Sequence, residues 1–146
     1  MDIKVKIIKE RETEYIEIGC HKKNESINEI IRFVKMHQGS IEAVREEKQY
    51  QIPLSEIYYI EAVDERTFIY LEKEYFESRR RLYEFEELLS KRNFARISKS
   101  VIVNLMKIES IKPALNGRFL CRLKNNEDVI ISRKYVPDVR ERIRGE

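Results

Sequence analysis

The sequence IYYIEAVDERTFIYLEKEYFE, residues 57–77, consists of three short apolar and aromatic runs separated by charged turns. β-Branched and aromatic residues favour strands, and the turn Asp64-Glu65-Arg66 has the length that joins neighbouring antiparallel strands. The pattern predicts strands at Ile57–Val63, Thr67–Leu71 and Glu74–Glu77. This part of the chain is therefore expected to form antiparallel β-structure.

Strand-like runs of the same kind continue on both sides of this segment. They are Ile41–Val44, Gln49–Pro53, Ile108–Lys112, Arg118–Leu123 and Asp128–Ile131. One helix is predicted within Arg80–Ser90, where leucine and phenylalanine recur at helical spacing, and a closing helix is predicted after Ser132. We therefore predict a mainly β (α+β) domain over residues 46–146, with one or two short helices.

Residues 1–45 are predicted to form a small β-β-α appendage before this domain. Apolar residues alternate with lysine over Ile3–Ile7, the period of a half-buried strand, and Tyr15–Ile18 repeats the pattern. Ser26 and Glu29 have the spacing of a capping box at the start of a helix. The appendage is expected either to pack on the domain or to contact a second copy or a regulatory protein.

The composition excludes several classes of protein. The 146 residues are 42% hydrophobic and 38% charged, a combination too apolar and aromatic for a disordered chain. No stretch approaches a run of about 18 apolar residues, and the N-terminus lacks the basic and apolar regions of a secretory signal. We therefore expect a cytoplasmic protein that is not inserted in a membrane.

The sequence contains no recognisable catalytic or metal-binding constellation. His21 and His37 both fall in the appendage, and Cys20 and Cys121 fall in strand patterns, where a free cysteine usually behaves as a small buried apolar group. They do not make a disulfide framework or a zinc site of the common four-ligand kinds. None of the four glycines builds a loop that cradles phosphate. We therefore predict no enzymatic activity, no cofactor and no metal.

The small net charge of +3 hides an asymmetry along the chain. Residues 1–95 hold 17 basic and 20 acidic side chains, a balance of −3. Residues 96–146 hold 12 basic and 6 acidic side chains, a balance of +6. A basic excess of this size is typical of proteins that bind polyphosphates, although a solvated, solubilising surface would have the same composition.

Two short polar segments in the basic region are candidates for binding. Ser98-Lys99-Ser100 is bracketed by apolar residues that would anchor it, and Ser132-Arg133-Lys134 follows a predicted strand. Arginine bonds the O6 and N7 atoms of guanine together, and lysine and serine reach phosphates and base edges. The alternative for each segment is a capped turn with solvated cations.

Residues 47–143 resemble the LytTR family of bacterial DNA-binding domains. Four pieces carry the resemblance, in family order. They are Ile52–Glu61, the helix Leu82–Leu88, Phe94–Leu105, which is similar to the family run F-x-R-x-x-x-S-x-x-V-N, and Ile131–Val136, which is similar to the family run S-R-[RK].

The resemblance implies an elongated antiparallel β domain whose loops, rather than a helix, enter successive major grooves. Members are transcriptional regulators that bind double-stranded DNA at paired direct repeats in promoters, so two protomers per site are expected. Many members join the domain to a phosphoacceptor receiver. Because only the short appendage precedes it here, the chain resembles the stand-alone members that lack this module.

The resemblance also implies that the DNA contacts fall on three loops. They carry over to Arg66 on the first loop, to Ser98 and Lys99 on the second, and to Arg133 and Lys134 on the third. Members often have His, Asn or Arg on the second loop, so a different preferred DNA sequence is expected. On charge grounds alone, further candidate phosphate contacts are Arg79, Arg80 and Lys107.

Two other functions remain as alternatives. In the first, the domain has lost DNA binding and is a non-catalytic protein-interaction module of a signalling system. In the second it binds RNA, which would require exposed aromatic side chains for base stacking. The eight tyrosines and six phenylalanines fall mostly at core-like positions, which argues against the second alternative.

Overall fold

The structure is a computed structural model, and it describes residues 1–144, so the last two residues of the predicted domain lie outside the described part. The described residues form three α-helices, α1 (Glu25–His37), α2 (Leu82–Leu89) and α3 (Val136–Ile143). They also form ten strands: β1 (Ser40–Arg45), β2 (Lys48–Pro53), β3 (Tyr59–Val63), β4 (Arg66–Tyr70), β5 (Tyr75–Ser78), β6 (Phe94–Arg96), β7 (Val101–Asn104), β8 (Ile108–Pro113), β9 (Phe119–Leu123) and β10 (Asp128–Ile131).

The strands form two antiparallel sheets. The large sheet has the order β2-β1-β5-β4-β3-β7-β6, and the small sheet has the order β10-β9-β8. In the centre of the large sheet, Ile60 lies opposite Ile69 on β4 and opposite Ile102 on β7. The prediction of a mainly antiparallel β fold with a few short helices is confirmed.

Two hydrophobic cores join the sheets and the helices. In the first, α2 buries Phe85 and Leu89 against the face of the large sheet that carries Ile60. In the second, Cys121 and Leu123 of the small sheet pack with other buried side chains of β6, β7 and α3. Each fully buried large apolar side chain contributes roughly 1.5–3 kcal/mol, so these contacts fix how the two sheets sit on each other.

Asn104 is a buried polar residue that joins distant parts of the chain. Its side-chain amide donates to the carbonyl oxygens of Ile57 (2.8 Å) and Leu54 (3.4 Å), and its oxygen accepts from the Met106 N–H (3.0 Å). A buried polar group that makes all these bonds avoids the cost of desolvation. The asparagine of the predicted family run is therefore a structural residue.

The two strands predicted in the appendage are absent, and this prediction was wrong for the single chain. Residues 1–24 contain no strand, and Ile3, Val5 and Ile7 are 92%, 85% and 90% exposed. An alternating segment becomes a strand only when a neighbouring strand accepts its backbone hydrogen bonds. The predicted helix exists, but its N-cap is Asn24, whose side chain accepts from Ile27 N–H at 3.0 Å, rather than Ser26.

The strand β1, which falls within residues 1–45, belongs to the large sheet. Ile41 pairs with Ile52 on β2, and Val44 pairs with Glu77 on β5. The division of the chain into 1–45 and 46–146 remains a prediction, although these hydrogen bonds tie β1 to the domain.

Three local expectations also need correction. The short strands β6 and β7 were not predicted, because their apolar residues were interpreted only as anchors of the polar turn Ser98-Lys99-Ser100. The closing helix predicted after Ser132, with Ser132 as its expected cap, begins only at Val136, because Arg133–Tyr135 form a short 3-10 turn. Cys121 is buried as expected, whereas Cys20 is exposed.

No helix of residues 1–144 has both the length and the apolar character needed to cross a membrane.

Candidate nucleic-acid interface

Five connections between secondary-structure elements meet at one end of the strands. We call their residues the loop surface; it consists of residues 64–66, 79–81, 97–100, 114–118 and 132–134. The β3–β4 and β6–β7 turns are joined because the Ala62 N–H donates to the Ser100 carbonyl at 2.8 Å. The Ser132 N–H in turn donates to the Ile97 carbonyl at 2.8 Å. The two polar segments singled out in the sequence are therefore neighbours.

The remaining two connections are attached by arginine side chains. Arg81, between β5 and α2, donates through Nη1 to the Glu65 carbonyl at 3.1 Å, which holds the β3–β4 turn. Arg133 lies over Gly117 in the β8–β9 turn, where a methyl group added to Gly117 would come within 2.7 Å of the Arg133 Cδ. Gly117 also has a φ of +76°, so this close approach requires glycine.

Arg96 braces the β6–β7 turn from behind. Its Nε donates to the Ser98 carbonyl at 2.7 Å, its Nη2 donates to the Lys99 carbonyl, and its Nη1 pairs with Glu86 at 3.0 Å. The Ser98 hydroxyl oxygen accepts from the Ser100 N–H at 3.2 Å, so its own O–H is free to donate. The exposed Lys99 is thus carried on a braced turn.

Arg96 is a candidate positioning residue that was not predicted from the sequence. Only 18% of its side chain is exposed, and its guanidinium points at the polar turn Ser98-Lys99-Ser100. The available signal was an arginine inside an otherwise apolar strand, two residues before the polar tip. A charged group at such a position needs hydrogen-bond partners, and the turn carbonyls supply them.

Arg133 and Lys134 are exposed on the short turn that follows β10. The Tyr135 N–H donates to the Ser132 carbonyl at 2.8 Å, which closes this turn. Lys134 places its Nζ 5.5 Å from the centre of the Tyr135 ring. Among the described residues neither cation forms an ion pair, so both are available to an anionic partner.

Arg66 is less available than the sequence suggested. Its Nη2 lies 2.6 Å from Glu77 Oε1, and this guanidinium holds the pKa of the Glu77 carboxyl below its ordinary value. Its guanidinium also lies 5.0 Å from the centre of the Phe68 ring. Because Asp64 and Glu65 stand on the same turn, Arg66 and the three carboxylates around it carry a net charge of −2.

The basic triplet after β5 contributes cations at the edge of the loop surface. Arg79 is exposed and forms no ion pair within residues 1–144, whereas Arg80 lies 3.8 Å from Glu84. Arg118, which was not predicted as a contact, is a further cation on the β8–β9 turn and lies in a different cleft from Arg79 and Arg80. It lines a shallow cleft together with Ser98 and Ser132.

Lys107 does not share this surface. It follows the far end of β7, where its backbone carbonyl accepts from the Lys124 N–H at 2.9 Å. Its Nζ lies 5.0 Å from the centre of the Tyr58 ring, and burial, together with Lys124 and Lys35, lowers its pKa. The structure thus separates Lys107 from the other predicted contacts by the length of the strands.

Exposed arginine and lysine side chains on short, hydrogen-bonded turns suit phosphate oxygens and base edges. The turns lie on an antiparallel β scaffold, and none of the three described α-helices forms part of the loop surface. Within residues 1–144 no group of three or more His, Cys, Asp or Glu side chains is arranged to hold a metal ion. The fold and the loop surface together define a β domain that is suited to binding nucleic acid through turns.

Comparison with known proteins identifies the family. Residues 47–144 match the family model of the LytTr DNA-binding domain, and the chain belongs to this LytTR family. The solved LytTr DNA-binding domain of a putative methyl-accepting/DNA response regulator from Bacillus cereus is 31% identical, with a TM-score of 0.65. The match covers 70% of this chain and 94% of that one.

Two curated relatives differ in how much of their length the match spans. The transcriptional regulatory protein YpdB of Escherichia coli (strain K12) is 33% identical over 109 residues, which is 74% of this chain but 45% of YpdB. The chain thus spans about half the length of that relative. A protein of Staphylococcus aureus (strain NCTC 8325 / PS 47), named as an uncharacterized HTH-type transcriptional regulator, is 31% identical over 139 residues. This match covers 93% of the chain and 94% of the relative.

Proposed function

We propose that the protein regulates transcription by binding double-stranded promoter DNA through the loop surface, and that it catalyses no reaction. The observation that carries this proposal is the contact between the two basic turns. The hydrogen bond from Ser132 N–H to the Ile97 carbonyl sets exposed Lys99, Arg133 and Lys134 on one side of the domain. Membership of a DNA-binding family supports the same assignment.

Within the loop surface, different residues contact bases and phosphates. Arg133 and Lys134 enter a major groove and discriminate bases, since a good bidentate contact is worth about 1–3 kcal/mol against the wrong base. Ser98 and Lys99 contact the neighbouring part of the site, Ser98 through its free O–H. Arg79 and Arg80 bind phosphates and supply the salt-dependent part of the affinity.

Two of the predicted contacts have lesser roles in this proposal. Arg66 must break its 2.6 Å ion pair with Glu77 before it reaches DNA. Lys107 lies at the opposite end of the strands and makes no contact. We further propose that the binding site is a pair of direct repeats, each occupied by one protomer.

The first experiment selects binders from a random duplex-DNA pool with the purified protein. Affinity is then measured against salt concentration for the selected sequence and for a scrambled one. We expect a recovered pair of repeats that is bound far more tightly than the scrambled sequence. Equal and strongly salt-dependent binding to both would contradict a sequence-specific regulator.

Variants then test the assignment of residues. Arg133→Ala and Lys134→Ala should each weaken binding to the selected site by roughly 5- to 150-fold, the equivalent of about 1–3 kcal/mol, and at least one should alter base preference. Lys107→Ala is the matched control, because it also removes one positive charge but lies off the loop surface. If Lys107→Ala weakened binding as much as Lys134→Ala, the loop surface would be wrongly placed.

Arg79→Ala separates phosphate contacts from base contacts. It should weaken binding to all sequences alike and reduce the slope of log affinity against log salt by about one. A changed base preference in Arg79→Ala would contradict its assignment as a phosphate contact.

A further inference from the structure

The N-terminal residues leave two apolar segments in solvent on either side of a turn. The turn is closed by the Glu12 N–H, which donates to the Lys9 carbonyl at 2.9 Å. We call Ile3–Lys9 the first arm and Glu12–Ile18 the second arm. Within residues 1–23 no other backbone hydrogen bond is present, so the two arms do not pair as a β-hairpin. Backbone N–H and C=O groups that lack partners within the chain are available for pairing with another strand.

The two arms are complementary to each other. In the antiparallel register that the turn sets, with Lys9 opposite Glu12, Lys4 lies opposite Glu17. The same register sets the apolar residues of the arms against each other. These pairs are Ile3 with Ile18 and Val5 with Ile16, whereas Ile7, on the same face, lies opposite Glu14. Cross-strand pairs of opposite charge and of β-branched residues both stabilise a sheet.

Pairing of the two arms within one chain would leave their apolar side chains exposed to solvent. A hairpin of two strands is marginally stable in water, and its apolar face would still be open to solvent. Pairing between two copies gives four strands and lets the two apolar faces cover each other. A two-fold symmetric interface requires a self-complementary surface, and one basic arm followed by one acidic arm meets this requirement.

We propose that residues 3–18 are a homodimerisation element, in which the turn opens and the first arm of each copy pairs, in the same register, with the second arm of the other. The occupant of the exposed arms is thus a second copy of this chain. This proposal is independent of the loop surface, because the arms contribute no residue to it.

The test measures the mass of the full-length chain by sedimentation equilibrium over a range of concentrations. We expect twice the chain mass of 17.7 kDa for the natural sequence. Val5→Ser/Ile7→Ser should raise the dissociation constant of the dimer by about tenfold or more, since these side chains lose apolar contacts. Both positions are exposed in the single chain, so the melting temperature of the dissociated protein should not change.

Charge reversal distinguishes pairing between copies from pairing within one chain. The variants Lys4→Glu/Lys9→Glu and Glu12→Lys/Glu17→Lys each set like charges opposite each other, and each should be monomeric. Mixed in equal amounts they should form a heterodimer as stable as the natural dimer, because both arm contacts then join opposite charges.

Three outcomes would overturn the proposal. The first is a natural chain that is monomeric at all concentrations, and the second is full dimerisation of Val5→Ser/Ile7→Ser. The third is a mixture of the two charge variants that stays monomeric, which would mean that the arms do not pair between copies.

Discussion

Arg96 offers the sharpest test of how the loop surface is built. In Arg96→Met the side chain keeps most of its length but loses its bonds to the Ser98 and Lys99 carbonyls. A net hydrogen bond to a charged group is worth about 1.5–3 kcal/mol, with the lower end expected for carbonyls on a surface turn. We therefore expect the free energy of unfolding to fall by about 2–3 kcal/mol.

The same substitution should weaken DNA binding by a separate route. Without the brace, the turn must be ordered when DNA binds, at roughly 1 kcal/mol for each residue that is freed. The turn keeps its bond from Ile97 N–H to the Val101 carbonyl, so one or two residues are freed. The dissociation constant should rise by about 5- to 30-fold, with the base preference unchanged.

Glu86→Gln is the matched control for this experiment. It removes the ion pair with Arg96 but leaves both bonds to the turn. Because the Glu86 side chain is 48% exposed, this ion pair contributes only about 0–1 kcal/mol. DNA affinity should therefore stay within about twofold of the natural protein. Affinity is measured by fluorescence anisotropy below the melting temperature of each variant. If Arg96→Met bound DNA with natural affinity, the argument that Arg96 positions the turn would be refuted.

Three further predictions concern stability and reactivity. Gly117→Ala should lower the free energy of unfolding by about 1–2 kcal/mol, because a φ of +76° strains any residue with a Cβ, whereas Gly19→Ala, with no atom within 4 Å, should leave the melting temperature unchanged. Equal melting temperatures for the two variants would contradict this reasoning. In a thiol-reagent assay at neutral pH, Cys20 should react in the folded protein and Cys121 only after unfolding. Burial raises the pKa of the Cys121 thiol from 9.0 to about 12. The stabilisation that comes from burying the neutral thiol is therefore complete below pH 9 and is lost as the pH rises towards 12. The free energy of unfolding of a Cys121→Ala variant should fall less over this pH range than that of the natural protein.

The β-structure at the centre of the domain could be predicted because its signal is local. Alternation and short charged turns identified β3, β4 and β5 with boundaries that differ by no more than two residues. The same signal failed in the N-terminal residues. Ile3–Ile7 alternates as regularly as any strand, but a strand exists only where a partner strand is present, and one sequence does not state the partner.

The candidate site could be predicted only in part, for a similar reason. The types of residue on the second and third loops were visible in the sequence. The sequence did not show whether a given cation forms an ion pair or how far it lies from the other cations. Arg66 is paired with Glu77, eleven positions away, and Arg96 is directed inwards at the turn that it precedes.

The sequence by itself determined the antiparallel β class, the short helices and the two basic turns, because these depend on neighbours within a few positions. Only the tertiary structure decided which cations share a surface. Lys99 and Arg133 are 34 positions apart and meet because β6 and β10 end side by side at the Ile97–Ser132 hydrogen bond. Lys107 is only eight positions from Lys99, yet it lies at the opposite end because β7 carries the chain across the sheet.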